Sequence, residues 1–326
     1  MVFKHIKNQA IVASVLCLIA SIDPLAKVYG EDNISMHRSL QAKSEYPDQL
    51  AQKAPINQSP AGKTPAALMD QASASFTKGD FPEAIALWTQ IIMSNPSVPI
   101  LNEALINRSK AYLVIGQPSL ALADLSACQY KPSQVSELAD LWLLKGSARL
   151  QNKQYSEAIV DFKQSERLRP GNSILYSNRS VAYQSLGKLA EAKSDITAAI
   201  KLDPNFSNYF NLAILQKLSG NPQACFDLLS QMIRQSQPYG QLFTQRGLCA
   251  AMLGRHDEAI SDMLKALKLD QGNVVAMEQL GLSLVAKNQK ESGRQYLVKA
   301  SSMRLTSGEV EEYQRILSII SLLDRR

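Results

Sequence analysis

Seven reversal signals recur along the chain at a nearly constant step, and that step constrains the fold more than any other feature. Gly79, Gly116, Lys153, Gly187, Gly220, Gly254 and Asn288 stand 37, 37, 34, 33, 34 and 34 residues apart. A unit of this length is too small to bury an apolar face by itself. It must stack on copies of itself, so the period predicts a linear array with a ribbon-like core. The tripeptide Asn-Arg-Ser marks the same beat twice, at Asn107–Ser109 and Asn178–Ser180, with Tyr112 and Tyr183 three residues further on.

Fixed slots surround each reversal. Five residues after it comes a small side chain: Ala84, Ala121, Ala158, Ala192, Cys225, Ala259 and Gly293. Four residues later comes a large apolar one: Trp88, Leu125, Phe162, Ile196, Leu229, Met263 and Leu297. Eleven residues before each reversal stands another: Leu68, Leu105, Trp142, Tyr176, Tyr209, Phe243 and Met277. Prolines close several units, at Pro96, Pro170, Pro204 and Pro238. Two amphipathic helices of about three turns each satisfy all of these slots. Gly or Asn permits the positive φ that ends the first helix. A small residue early in the second lets the backbones approach, and proline stops the second.

This pattern resembles the tetratricopeptide repeat family, whose unit is a helix–turn–helix of this length. The resemblance covers residues 65–307 and implies an all-α, right-handed superhelical solenoid of about seven units. Two units depart from the pattern. The first carries Ser75 where an aromatic is usual, and the last carries Gly293 where Ala is usual. Terminal repeats have one neighbour instead of two, so weaker matches are expected there. After the last unit, Val310, Tyr313, Leu317 and Ile320 recur at helical spacing beside Ile316 and Leu323, which predicts a capping helix over 308–326 with Arg325 and Arg326 at its C-terminal end.

The front of the chain lies outside the repeat. Lys4 and Lys7 precede an apolar run from Ala10 to Ile22, and Val28-Tyr29-Gly30 follows as a cleavage site. Residues 1–30 read as an export signal, leading to a periplasm or a thylakoid lumen. The alternative is an uncleaved membrane anchor, although the run is shorter than the roughly eighteen apolar residues a spanning helix needs. Leu16 before Cys17 is too bulky for a lipoprotein site. Residues 31–64, with Pro47, Pro55 and Pro60 among polar residues, read as a flexible linker. Gly62-Lys63-Thr64 there lacks the partner glycine of a phosphate loop, since Asn57 stands in its place.

Net charge is +6, and removal of residues 1–30, which carry Lys4, Lys7, Lys27 and Asp23, lowers it by two. No dense basic stripe points to nucleic acid. The three histidines, His5, His37 and His256, belong to the signal, the linker and a turn, so they form neither a metal cluster nor a triad. The expectation is a protein without cofactor and without enzymatic activity. Cys128, Cys225 and Cys249 each occupy a helix packing slot and read as small buried hydrophobes; Cys225 and Cys249, on helices expected to be neighbours, are also placed to form a disulfide in an oxidising compartment.

Comparing the units with one another adds contacts. One slot of the first helix holds Gln71, Arg108, Lys145, Arg179, Leu212, Arg246 and Leu280. Sixteen residues later stand Leu87, Asp124, Asp161, Asp195, Leu228, Asp262 and Tyr296. Basic residues and aspartates appear in the same four units, which predicts the ion pairs Arg108–Asp124, Lys145–Asp161, Arg179–Asp195 and Arg246–Asp262. The residue before each basic slot lies on a neighbouring face, about 100° away on a helix. It reads Asp70, Asn107, Leu144, Asn178, Asn211, Gln245 and Gln279.

The resemblance places the first helices on a concave groove. It thereby makes Asn107, Asn178, Asn211, Gln245 and Gln279 an amide row for an extended peptide, with Phe210, Lys217, Thr244 and Leu248 beside it. The two-carboxylate clamp of one subclass of the family is missing, because Asn107 follows Met69 and Ser73 rather than Lys and Asn. The resulting expectation is an interaction scaffold or assembly factor that binds a protein or peptide partner outside the cytoplasm. The other readings are a membrane-anchored adaptor held by residues 1–30 and a regulatory subunit of an enzyme.

Overall fold

The computed structural model describes residues 64–131, 133–235 and 239–324; the signal, cleavage-site and linker assignments on residues 1–63 lie outside them, as do Arg325 and Arg326. Among the described residues there are fifteen helices and no strand. The chain divides between Asp203 and Pro204 into two compact units.

The first unit holds four hairpins: α1 (Pro65–Lys78) with α2 (Phe81–Met93), α3 (Val98–Val114) with α4 (Pro118–Ala127), α5 (Val135–Gln151) with α6 (Tyr155–Leu168), and α7 (Ser173–Ser185) with α8 (Leu189–Leu202). Each second helix also packs on the first helix of the next hairpin, so the core runs on from hairpin to hairpin. The second unit repeats the arrangement with α9 (Phe206–Leu218) and α10 (Pro222–Gln235), α11 (Gly240–Met252) and α12 (His256–Leu269), and α13 (Val274–Ala286) and α14 (Lys290–Thr306). Helix α15 (Val310–Asp324) packs on α14 and closes that end. These are seven helix–turn–helix units of a solenoid and a capping helix.

The reversals form where the sequence places them. Gly79, Gly116, Gly187, Gly220 and Gly254 have φ between +70° and +84°. Lys153 and Asn288 adopt the same left-handed conformation, at φ 61° and 62°. At Lys153 the backbone N–H donates to Leu150 O, and that of Gln154 donates to Arg149 O, which closes the helix end. A lysine Cβ in this conformation crowds the backbone at a cost of about 1 kcal/mol. Lys153→Gly is therefore expected to raise stability by at most about 0.5 kcal/mol, since the glycine's greater unfolded-state entropy takes back roughly half or more of that relief. Urea denaturation checks this, and a lower midpoint for the variant would show that the strain is absent.

The small slots mark close approach between paired helices. A Cβ on Gly146 would lie 2.6 Å from the Phe162 ring, and one on Gly247 2.7 Å from Met263 Cε. The last hairpin is tighter still. A Cβ on Gly281 would sit 2.9 Å from Gly293 O, and one on Gly293 2.7 Å from Gly281 O. Gly293 is thus not a weakened alanine slot: the two backbones touch there and leave no room for a methyl group.

Connections are held by side chains the repeat pattern does not mark. Asn172, Asn205 and Asn273 cap α7, α9 and α13 by accepting the N–H three residues ahead. The longer connection after α4 is held by Asn102, whose amide donates to Gln129 O at 2.7 Å and accepts from Gln129 N at 2.9 Å.

The cap corrects one detail. Ile316 and Ile320 are its buried residues, packed with Leu297, Ala300 and Val274. Val310 and Leu317 are half-exposed, at 50% and 40%. The helices beneath cover a single stripe of α15, and the i, i+4 pair Ile316/Ile320 occupies it.

Candidate functional site

Three of the four ion pairs expected at the basic slots form. Arg108 donates to both oxygens of Asp124 at 2.6 and 2.8 Å, and to Thr89 on the preceding hairpin at 2.8 Å. Arg179 donates to Asp195 at 2.7 and 2.9 Å and to Glu166 of the preceding hairpin at 2.5 Å. Arg246 donates to Asp262 at 2.7 Å on both bonds, and to Ser230 at 3.2 Å. Each guanidinium therefore ties its own hairpin together and braces it to the one before, a three-way contact suited to a planar fork of donors. Burial alone lowers the Arg179 pKa; its bonds to Asp195 and Glu166 outweigh that and hold the group above its ordinary range.

The third hairpin departs from the expected set. Asp161 accepts from Arg149 at 2.7 Å, whereas Lys145 lies over the Trp142 ring, 5.0 Å from its centroid. Arg149 stands one helical turn after Lys145 on the same face, and its longer planar head supplies the acceptor contact. Arg108, Arg179 and Arg246 are followed four residues on by Tyr112, Tyr183 and Ala250, so among these four hairpins only the third has a second cation at that slot.

Asp161 pays a penalty for the exchange. It is 1% exposed, and its Oδ2 has no hydrogen-bond partner. Burial pushes its pKa up to about 6, with Arg149 and Lys145 pulling it part of the way back. A folded pKa above the ordinary 3.8 means that the folded state takes the proton more readily than the unfolded chain. The contribution of Asp161 is therefore most favourable below about pH 4, declines as pH rises toward 6, and stays low above it. Asp161→Asn should stabilise the protein by about 1–2 kcal/mol at pH 7.5 and by close to nothing at pH 4. Urea midpoints of both proteins at the two pH values measure this, and a pH-independent difference would rule out the titration.

The amide row is more enclosed than a solvated face. In the first unit Asn107 on α3 is half-buried; its amide N–H₂ faces Met69 Sδ at 4.0 Å and its Oδ1 accepts from Lys110 at 3.3 Å. Desolvation lowers the Lys110 pKa against the pull of Asp140 and Glu103. Asn178 on α7 is 1% exposed and donates to Ser147 Oγ at 3.0 Å. Ser147 spends its own proton on Leu143 O, so it can only accept from Asn178. That fixes the amide orientation and leaves Asn178 Oδ1 buried without a donor.

In the second unit Asn211 on α9 is buried, and Lys217 donates to Gln245 Oε1 at 2.5 Å, both side chains being buried. Gln279 on α13 is half-buried and donates to Ser283 at 3.4 Å.

Three of the expected flanking residues are engaged in packing. Thr244 is fully buried, donates to Gly240 O and accepts from Asn273 Nδ2, so the second unit uses its hydroxyl internally. Phe210 packs in the apolar cluster around Ile214, Leu229 and Leu242. Leu248 packs with Met263, Val275 and Leu280. Among the described residues no group of three or more His, Cys, Asp or Glu side chains is placed to hold a metal ion, and no helix is long and apolar enough to cross a membrane.

The helix pairs already carry the family's geometry, and its sequence model for the tetratricopeptide repeat matches residues 139–172, 174–206 and 240–273, the third, fourth and sixth hairpins. The chain carries tetratricopeptide repeats. A crystal structure of a tetratricopeptide repeat protein from Parabacteroides merdae superposes with a TM-score of 0.61, covering 78% of this chain and 99% of that one; at 18% identity the likeness concerns the fold. Heat shock protein STI1 of Saccharomyces cerevisiae is 31% identical over 157 residues, 48% of this chain and 21% of its own length. Mitochondrial import receptor subunit TOM70 of Mus musculus is 27% identical over 179 residues, 52% of this chain and 28% of its own. This repeat protein thus spans less than a third of the length of these two relatives.

Proposed function

We propose that this repeat protein is a non-catalytic interaction scaffold that works outside the cytoplasm and holds a protein or peptide segment against the first helices of its hairpins. The observation that carries the reading is Asn178 Oδ1, a buried acceptor of fixed orientation that lacks a donor. An unpaired buried acceptor of this kind costs about 1–3 kcal/mol; because the oxygen is enclosed, a partner's backbone N–H recovers that cost only where the contact around Asn178 opens to admit it. Asn107, Asn211, Gln245 and Gln279 stand at the same slot of their own units. One relative's name fits, an import receptor subunit being by that name part of an assembly.

Export is supported by the basic and apolar order of residues 1–30 and by the Cys225–Cys249 disulfide, a bond that persists in oxidising compartments. The mass of the mature N-terminus separates a cleaved signal from an anchor. Affinity purification followed by mass spectrometry tests the binding face. A partner recovered with the native chain and lost with Asn178→Ala/Asn211→Ala, at unchanged helicity, supports the reading. Equal recovery with both proteins refutes it.

A further inference from the structure

Each junction between hairpins brings together two slots of the repeat, the fifth residue after one reversal and the fifth before the next. In the first unit these are Ala84 with Ala111, Ala121 with Ala148, and Ala158 with Ala182, all fully buried. In the second unit the same two slots hold Cys225 on α10 and Cys249 on α11. Their sulfurs are bonded, their Cα atoms are 6.2 Å apart and neither residue is exposed. Alanines fill both slots at those three junctions, and Ala259 with Ser283 fills them at another in the second unit, so packing does not require cysteine. What the pair adds is a covalent link across one junction.

The burial of that link has a kinetic consequence. Thiol–disulfide exchange requires a thiolate to reach a sulfur along the bond axis. Phe210, Ile214, Leu229, Met232 and Leu242 enclose this bond, and no solvent path reaches either cysteine. The two residues are only 24 apart in sequence, so they meet readily in a chain whose helices are not yet docked. In the folded protein Cys128 is a poor nucleophile toward the bond, because burial pushes its thiol pKa up to about 11 and leaves little thiolate at neutral pH.

We propose that the Cys225–Cys249 bond is installed by a protein dithiol oxidase while α10 and α11 are still undocked, and that their docking then seals it from redox exchange. One cysteine thiolate attacks the oxidase disulfide and forms a mixed disulfide. The second thiolate displaces the oxidase sulfur. The two cysteines lose two protons and two electrons, and the oxidase leaves as the dithiol. The need for an oxidase in the compartment rests on the export reading above; the sealing does not.

The full chain, purified in the oxidised state, is incubated with dithiothreitol in native buffer and in guanidinium, and free thiols are counted by the mass added with a maleimide. Reduction in native buffer is expected to be slower by on the order of a hundredfold, since it must await local opening. Reduced, refolded protein should likewise resist oxidised glutathione until it is unfolded. Native exchange at the rate of the unfolded chain would overturn the proposal. Cys225→Ala/Cys249→Ala copies the alanine junctions, so it should fold and melt like the reduced protein; a variant that does not fold would show that the cysteines serve packing instead. Cysteines found reduced in cells, with normal sealing in vitro, would refute the export reading alone.

Discussion

Arg179→Leu is expected to lower stability by about 3–5 kcal/mol, a loss larger than the bonds themselves contribute. The guanidinium is the donor for Asp195, whose side chain is 9% exposed, so its removal strands a buried carboxylate. Glu166 is 32% exposed and can return to water. The paired change Arg179→Leu/Asp195→Leu should recover most of the loss and lie within about 1–2 kcal/mol of the native chain. The fifth hairpin already uses that solution, with Leu212 and Leu228 in the two slots. Urea unfolding of the single and double variants forms half of a double-mutant cycle, and Asp195→Leu completes it. A double variant no more stable than the single would mean that Arg179 acts mainly through other contacts, its bond to Glu166 first among them.

Gly293→Ala gives the second large effect, and its sign separates two kinds of reasoning. Helix propensity favours alanine by about 0.8–1 kcal/mol, and five other hairpins place alanine in this slot. Propensity alone therefore predicts a more stable protein. The structure predicts the reverse, because the new Cβ would meet Gly281 O and Val285 Cγ2 at 2.7 Å and Val285 N at 3.1 Å. Two of these atoms are backbone and cannot rotate away. The helices must part, which costs about 1–3 kcal/mol beyond the propensity gain. Calorimetry or urea unfolding reads the sign directly. Hydrogen exchange should place the loosening in α13, α14 and α15, since α15 packs on the displaced helix. A stabilised variant would show that the close approach is dispensable.

Much of the molecule was legible in the chain. The reversals at Gly79 through Asn288 fall at the spaced signals, because a left-handed residue and a helix stop are properties of a few adjacent residues. The partners of Arg108, Arg179 and Arg246 could be read by comparing units, because repeated geometry makes seven samples of the same contact. The same comparison failed for Lys145: Arg149, at the next turn, competes for Asp161, and slot identity carries no information about which cation reaches further. The caps at Asn172, Asn205 and Asn273 carry a composition signal just before each helix, which a search for capping residues would have found. Asn102 carries none, since its partner Gln129 is 27 residues away and is met through backbone atoms.

The candidate site divides in the same way. Sequence position marked one amide slot per hairpin, but it could not tell an amide with a spare acceptor from one already used. Asn178 and Thr244 read as equally polar members of one face. Thr244 is fully engaged by Gly240 and Asn273, while Asn178 keeps an unpaired oxygen because Ser147 has already given its proton to Leu143.

The sequence by itself determined the unit, its length, its turns and the order of the helices, since these follow from backbone preferences and from apolar spacing within some thirty-four residues. Tertiary structure alone decided which cation serves Asp161, why residue 293 must be glycine, that two cysteines replace two alanines as a covalent link, and which amide is left without a donor. Those outcomes depend on distances between helices of a few tenths of an ångström, and a periodic pattern does not encode distances.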